Sequence, residues 1–101
     1  MVIYSVYVAT KDKKEAQKVS RHLLEKKLIA CANIFPVDSL YWWKGRIVED
    51  REYALVAKTN KSFRQVEKEI EKIHSYEVPG ISCSAVKVNK SCKDWIEKEL
   101  K

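Results

Sequence analysis

Glycine and proline are nearly missing from this chain, with two of each in 101 residues. Their scarcity excludes collagen-like and low-complexity classes, and no glycine-rich phosphate loop is present. Histidine is equally rare, with only His22 and His74. The three cysteines, Cys31, Cys83 and Cys92, show no Cys-x-x-Cys spacing, and an odd count argues against a disulfide framework. Met1-Val2-Ile3-Tyr4-Ser5 lacks the basic start and cleavage site of a signal peptide. No apolar run is long enough to cross a bilayer. We therefore expect a cytoplasmic protein in a reducing compartment, with no membrane partner. Asparagine and glutamine are scarce beside abundant lysine and glutamate, a composition that leans toward a thermophilic source.

What the chain does contain is enough for one domain, residues 1–101, and too little for two. A domain of this size buries roughly 60–70% of its unfolded surface, so its own core is modest. The formal net charge is +6, from 20 Lys and Arg against 14 Asp and Glu. A basic excess invites a nucleic-acid reading. Here, however, lysine alternates with glutamate on helical stretches, as in Lys13-Lys14-Glu15 and Glu67-Lys68-Glu69. Mixed-sign faces of that kind are solvated surface with local ion-pair support, and we expect no specific nucleic-acid partner.

Hydrophobic periodicity orders the elements. Val2 to Ala9 is a β-rich apolar run. Asp12 and Glu15 have capping-box spacing, and Ala16, Val19, Leu23 and Leu24 recur at helical intervals, predicting a helix over Lys13 to Lys27. A strand runs from Ile29 to Val37, with Pro36 marking a bulge or an edge, and continues through Ser39 to Trp43. Lys44-Gly45 makes the turn, and the return strand runs from Arg46 to Lys58. Thr59 or Asn60 is the expected cap of a second helix carrying Phe63, Val66, Ile70 and Ile73 on one face. A loop from His74 to Gly80 leads to a strand over Ile81 to Val88, and Asn89 or Ser91 caps a last helix presenting Trp95 and Ile96. The order is β-α-β-β-α-β with a terminal helix, an α+β, ferredoxin-like arrangement.

Two features do not suit a solitary domain of that kind. Arg46 to Lys58 fully extended spans roughly 43 Å at about 3.3 Å per residue, whereas a compact 100-residue domain is only roughly 33 Å across. The hairpin must bend, break or project. In addition, Val2-Ile3-Tyr4-Ser5-Val6-Tyr7-Val8-Ala9 and Tyr53-Ala54-Leu55-Val56-Ala57 show little polar alternation. Both faces of the sheet are expected to be covered, and another subunit is the natural cover. The aromatic tip Tyr41-Trp42-Trp43 points the same way.

The candidate site residues are few. His74, Tyr76 and Glu77 fall within four positions and could gather a metal or polar ligand; the bland account is a helix C-terminus with His near the negative end of the dipole. Cys31 lies in an apolar strand, where a lone cysteine is usually a small buried hydrophobe. His22 is expected on the surface of the first helix. The first and third strands are expected to be parallel neighbours, so that Thr10-Lys11-Asp12 and Lys58-Thr59-Asn60 set two helix N-termini side by side, a weak anion signal centred on Lys58 and Thr59. No nucleophile-base-acid set is present in the pattern, so no enzymatic activity is expected.

Taken in order, Leu28-Ile29-Ala30-Cys31-Ala32-Asn33, Tyr41-Trp42-Trp43-Lys44-Gly45, Asp50 with Glu52, Lys58-Thr59 and His74-Ser75-Tyr76-Glu77-Val78-Pro79 resemble the CutA family of divalent-cation tolerance proteins, from Tyr4 to Leu100. The resemblance implies a ferredoxin-like subunit in a tight homotrimer, similar in architecture to the PII signalling proteins, with the long hairpin reaching a neighbour. It also implies a role in tolerance to copper and other divalent cations. Some members carry copper ligands as a Cys before the first-strand Thr and a doubled His before the Tyr loop; here those positions hold Ala9 and Ile73, and Ser75 replaces the usual Pro. The resulting expectation is a non-enzymatic trimer that needs no cofactor, with a divalent-metal or small-ligand site between subunits. His74 and Glu77, then Cys31, are its metal candidates, and Trp42, Trp43, Lys58, Thr59 and Tyr76 line a pocket or interface. A borderline or soft ion such as copper or zinc suits a His nitrogen or thiolate. The alternatives are an RNA-binding module of RRM-like order, which lacks its aromatic pattern here, and an acylphosphatase-like hydrolase, which lacks its arginine loop.

Overall fold

In the computed structural model, which describes residues 1–101, valines at alternate positions of the first strand set the core. The elements are β1 (Ile3–Thr10), α1 (Lys13–Glu25), β2 (Cys31–Trp43), β3 (Arg46–Thr59), α2 (Phe63–Ile73), β4 (Ile81–Val86) and α3 (Lys90–Glu99). Val6 and Val8 face Ala57 and Leu55 across the β1–β3 ladder, and all four are buried. Above them pack Val19 and Leu23 of α1 and Val66 and Ile70 of α2. These helical positions recur three to four residues apart, so each helix turns one apolar stripe to the sheet. Leu24, expected with them, is exposed.

The sheet order is β2-β3-β1-β4, and every neighbouring pair is antiparallel. This corrects the parallel arrangement expected for β1 and β3. The crossover through α1 leaves a gap one strand wide, and the hairpin return fills it running the other way. Thr10 therefore stands opposite Tyr53, while Tyr4 stands opposite Thr59. The segments around Thr10 and Thr59 lie at opposite ends of the sheet and cannot form one anion site. Thr59 is instead a buried tie: its hydroxyl donates to the Leu28 carbonyl at 2.7 Å and accepts from Lys61 N at 2.9 Å.

Capping follows side-chain reach. Asp12 Oδ1 accepts from Glu15 N at 2.8 Å, as the spacing predicts. Ser62, not Thr59 or Asn60, caps α2, with Gln65 completing a capping box. Asn89 stands at the cap of α3 and donates to Ser91 Oγ at 2.8 Å instead of accepting from the helix. β4 ends at Val86, two residues before the expected end.

The second face of the sheet is only partly covered. Alternation turns Ile3 away from Val6 and Val8, and Ile96 of α3 and its C-cap Leu100 pack against it at one end. The rest, including Tyr7 and Phe35, is left open. β2 and β3 pair without a break from Cys31 opposite Lys58 to Trp43 opposite Arg46. Pro36 interrupts nothing, because β2 is an edge strand and its missing N–H costs no ladder bond. Lys44 (φ 50°) and Gly45 (φ 77°) close the hairpin, both in the left-handed region that a two-residue type I′ turn requires. The molecule measures 44 × 24 × 21 Å, so the hairpin projects rather than folding back. No helix is long and apolar enough to cross a membrane.

Candidate functional site

β4 reaches along β1 only as far as Val8, opposite Ile81. The carbonyl of Ala9, one residue beyond, is taken by the His74 ring, whose Nε2 donates to it at 2.8 Å. His74 Nδ1 in turn accepts from Tyr76 N at 3.1 Å. The two bonds together define the neutral, Nε2-protonated imidazole and use both ring nitrogens.

Glu15, at the start of α1, reaches the same loop. Its Oε1 accepts from Lys11 N at 3.0 Å and its Oε2 from Ser75 N at 2.8 Å. Burial pushes this carboxyl up, but the bonds from Lys11 and Ser75 outweigh that and hold it below its ordinary value. The capping-box spacing seen in the sequence is thus half realised: the carboxylate clamps Lys11 and the distant Ser75 loop rather than its own cap.

Tyr76 completes the loop's attachment. Its hydroxyl donates to Glu52 Oε2 on β3. Burial, the Glu52 bond and the charges of Glu52 and Asp50 push the phenol well above its ordinary value, so it stays a donor. Two residues toward the hairpin tip, Tyr41 donates to Asp50 Oδ2 at 3.3 Å. Two phenols thus face two carboxylates along one side of the hairpin base. Glu52 is 5% exposed and shares its strand face with the neighbouring Ala54 and Val56.

The proposed ligands do not converge. No group of three His, Cys, Asp or Glu side chains is placed to hold a metal ion. His74 has no free ring nitrogen, and Glu77 is exposed. Cys31 is a free thiol on the open face directly opposite Lys58, whose ammonium repels a cation. The donors of one chain therefore do not fit a resident divalent ion. His22, expected on the surface, is half-buried and meets Glu69 Oε1 at 2.9 Å, joining α1 to α2. Trp42 and Trp43 sit at the hairpin tip on opposite faces, with Lys44 Nζ 5.7 Å from the Trp43 ring centre. A groove of about 590 Å³ is lined by charged side chains such as Lys61, Asp94 and Lys98 and lies apart from these residues.

The sequence singles out His74 and Tyr76 but not their partners. The role of Glu15 hides behind its cap spacing, and the Ala9 partner is a backbone atom that no motif reveals. On the open face Tyr7 of β1 stands beside Val56 of β3, so the aromatic pair of an RNA-binding sheet is missing.

A family profile described as CutA1 divalent ion tolerance protein matches residues 4–99. The divalent-cation tolerance protein CutA of Archaeoglobus fulgidus is 37% identical over 99 residues, covering 94% of this chain and 95% of that protein. That of Thermotoga maritima is 44% identical over 77 residues, covering 75% and 76%. A solved structure of the periplasmic divalent cation tolerance protein CutA from Archaeoglobus fulgidus superposes with a TM-score of 0.94 at 36% identity, covering 98% of this chain and 99% of that one.

Proposed function

We propose, because the chain belongs to the CutA1 divalent ion tolerance family, that it serves tolerance to divalent cations as a non-enzymatic homotrimer. Any metal or small ligand is held between copies, not within one. The observation that carries this reading is the hairpin's exposed apolar surface. Leu40, Trp42 and Ile47, on one face, are 68%, 71% and 64% exposed, and Tyr41 and Trp43 stand on the other. A lone chain gains nothing from a two-sided apolar hairpin, whereas a neighbouring copy can bury both sides. The number three follows from the family resemblance.

The ligand reading rests on the same geometry. The ring nitrogens of His74 are occupied inside the chain, so an ion would have to displace Tyr76 N from Nδ1 and take its other ligands from water or another copy. Copper or zinc is the class that a His nitrogen suits. Three free cysteines support a reducing, cytoplasmic setting. Sedimentation of the purified protein, with its metal content measured in the same sample, tests the proposal. A trimer is expected; a stable, soluble monomer at micromolar concentration would defeat it.

A further inference from the structure

The open face of the sheet carries two charges, one buried and one half-buried, that its own chain leaves without a counter-charge. Strand alternation puts Arg46, Asp50, Glu52 and Lys58 of β3 on that face, interleaved with Ala54 and Val56. Glu52 is 5% exposed, and its hydrogen bond comes from the neutral Tyr76 hydroxyl. No basic group of the chain forms an ion pair with it. Lys58 is half-buried at the sheet centre, opposite Cys31 on β2 and Ser5 on β1, and its ammonium likewise lacks an ion-pair partner.

Glu52 and Lys58 cannot neutralise each other within one chain. They are six positions apart on a single extended strand, about 20 Å at about 3.3 Å per residue. Covering the open face removes the remaining water and leaves a buried carboxylate and a buried ammonium. Each is strongly unfavourable unless it meets the opposite sign. A second copy supplies both signs on the same face. Arg46 and Asp50 have less need of a partner there: both are exposed, and Asp50 already accepts from Tyr41 and from Arg51 N.

We infer that Glu52 of one copy pairs with Lys58 of the next, an ion pair repeated head to tail around a closed ring. This rests on the self-association proposed above. A head-to-tail contact uses two different patches of each chain, and a rotation that closes the ring satisfies every pair at once. Tyr76 is then a positioning residue: its hydroxyl holds one carboxylate oxygen of Glu52 and leaves the other for the incoming ammonium.

The test is a double-mutant cycle on assembly. Glu52→Gln keeps an acceptor for Tyr76, and Lys58→Met keeps the aliphatic stem, so both variants suit the fold. Dissociation is followed by sedimentation against protein concentration, with guanidinium added equally to all samples to bring the wild type into range. Each single variant should raise the half-dissociation concentration about 30-fold or more, because it strands the other charge. The double variant should be no worse than the weaker single one. Single losses that simply multiply in the double variant would overturn the pairing while leaving the assembly intact. A wild type that is monomeric throughout would instead remove the self-association reading. As an independent arm, the charge-swapped Glu52→Lys/Lys58→Glu chain should assemble better than either single reversal, and failure to do so also counts against the pair.

Discussion

The hydroxyl of Tyr76 donates to the carboxylate of Glu52 across 24 positions of sequence, joining the loop before β4 to the base of the hairpin. Replacing Tyr76 with Phe leaves the ring in place and Glu52 without its donor. We expect a loss of about 1–3 kcal/mol, read as a lower guanidinium midpoint. The folded phenol lies above its unfolded value of 10, so its contribution is complete below that value and fades only as pH rises through the folded one. The difference between wild type and Tyr76→Phe should therefore stay flat from about pH 6 to about pH 9. A difference that shrinks within that range would show that the bond is not the source.

Glu15 offers the opposite pH behaviour. Its carboxyl is held below 4.5 by Lys11 and Ser75 against burial, so its stabilisation is complete above 4.5 and is lost as pH falls through the folded value. Glu15→Gln should cost about 1–3 kcal/mol at neutral pH, because the amide replaces one of two acceptor oxygens with a donor. Acid titrations of unfolding should show the two proteins converging at low pH. Parallel curves throughout would mean that the carboxylate charge plays no part.

At the hairpin tip the expectation separates folding from assembly. Trp42 is so exposed that Trp42→Ala should leave the circular dichroism of the subunit unchanged, yet weaken self-association by about 2 kcal/mol or more if it anchors a neighbour. Trp43→Ala, on the other face, probes a different contact. If neither change alters trimer dissociation or melting, the aromatic tip is not part of the assembly.

For metal binding, copper or zinc titration should give weak binding that requires assembly, falls with His74→Ala and is indifferent to His22→Ala. His22 already holds Glu69 and sits near Lys26 and Lys72, whose charge opposes a cation. Unchanged binding in His74→Ala would move attention to Cys31.

The helices and the hairpin were legible because each is encoded locally. Val66 and Ile70 declare a helical face, and Lys44-Gly45 declares a turn. The direction of β3 against β1 is a long-range consequence of how the crossover and the hairpin share one sheet, and no window of sequence contains it. The cap of α2 slipped from Thr59 to Ser62 because Thr59 had a better use as a buried tie to Leu28. At the site, His74 and Tyr76 stand out as residue types, but what they hold is fixed by a carbonyl on β1 and a carboxylate on β3, each more than twenty positions away.

The unbroken ladder from Trp43–Arg46 down to Cys31–Lys58 also bears on the order of events in the cell. Its contacts are sequence-local near the turn, so the hairpin can zip from Lys44-Gly45 inward on the ~1–10 μs scale of hairpin formation. The β1–β3 and β1–β4 pairings close much longer loops and come later. The exposed apolar arm can therefore form before the core is finished, with the like charges of Lys44 and Arg46 at its tip to oppose contact between two such arms.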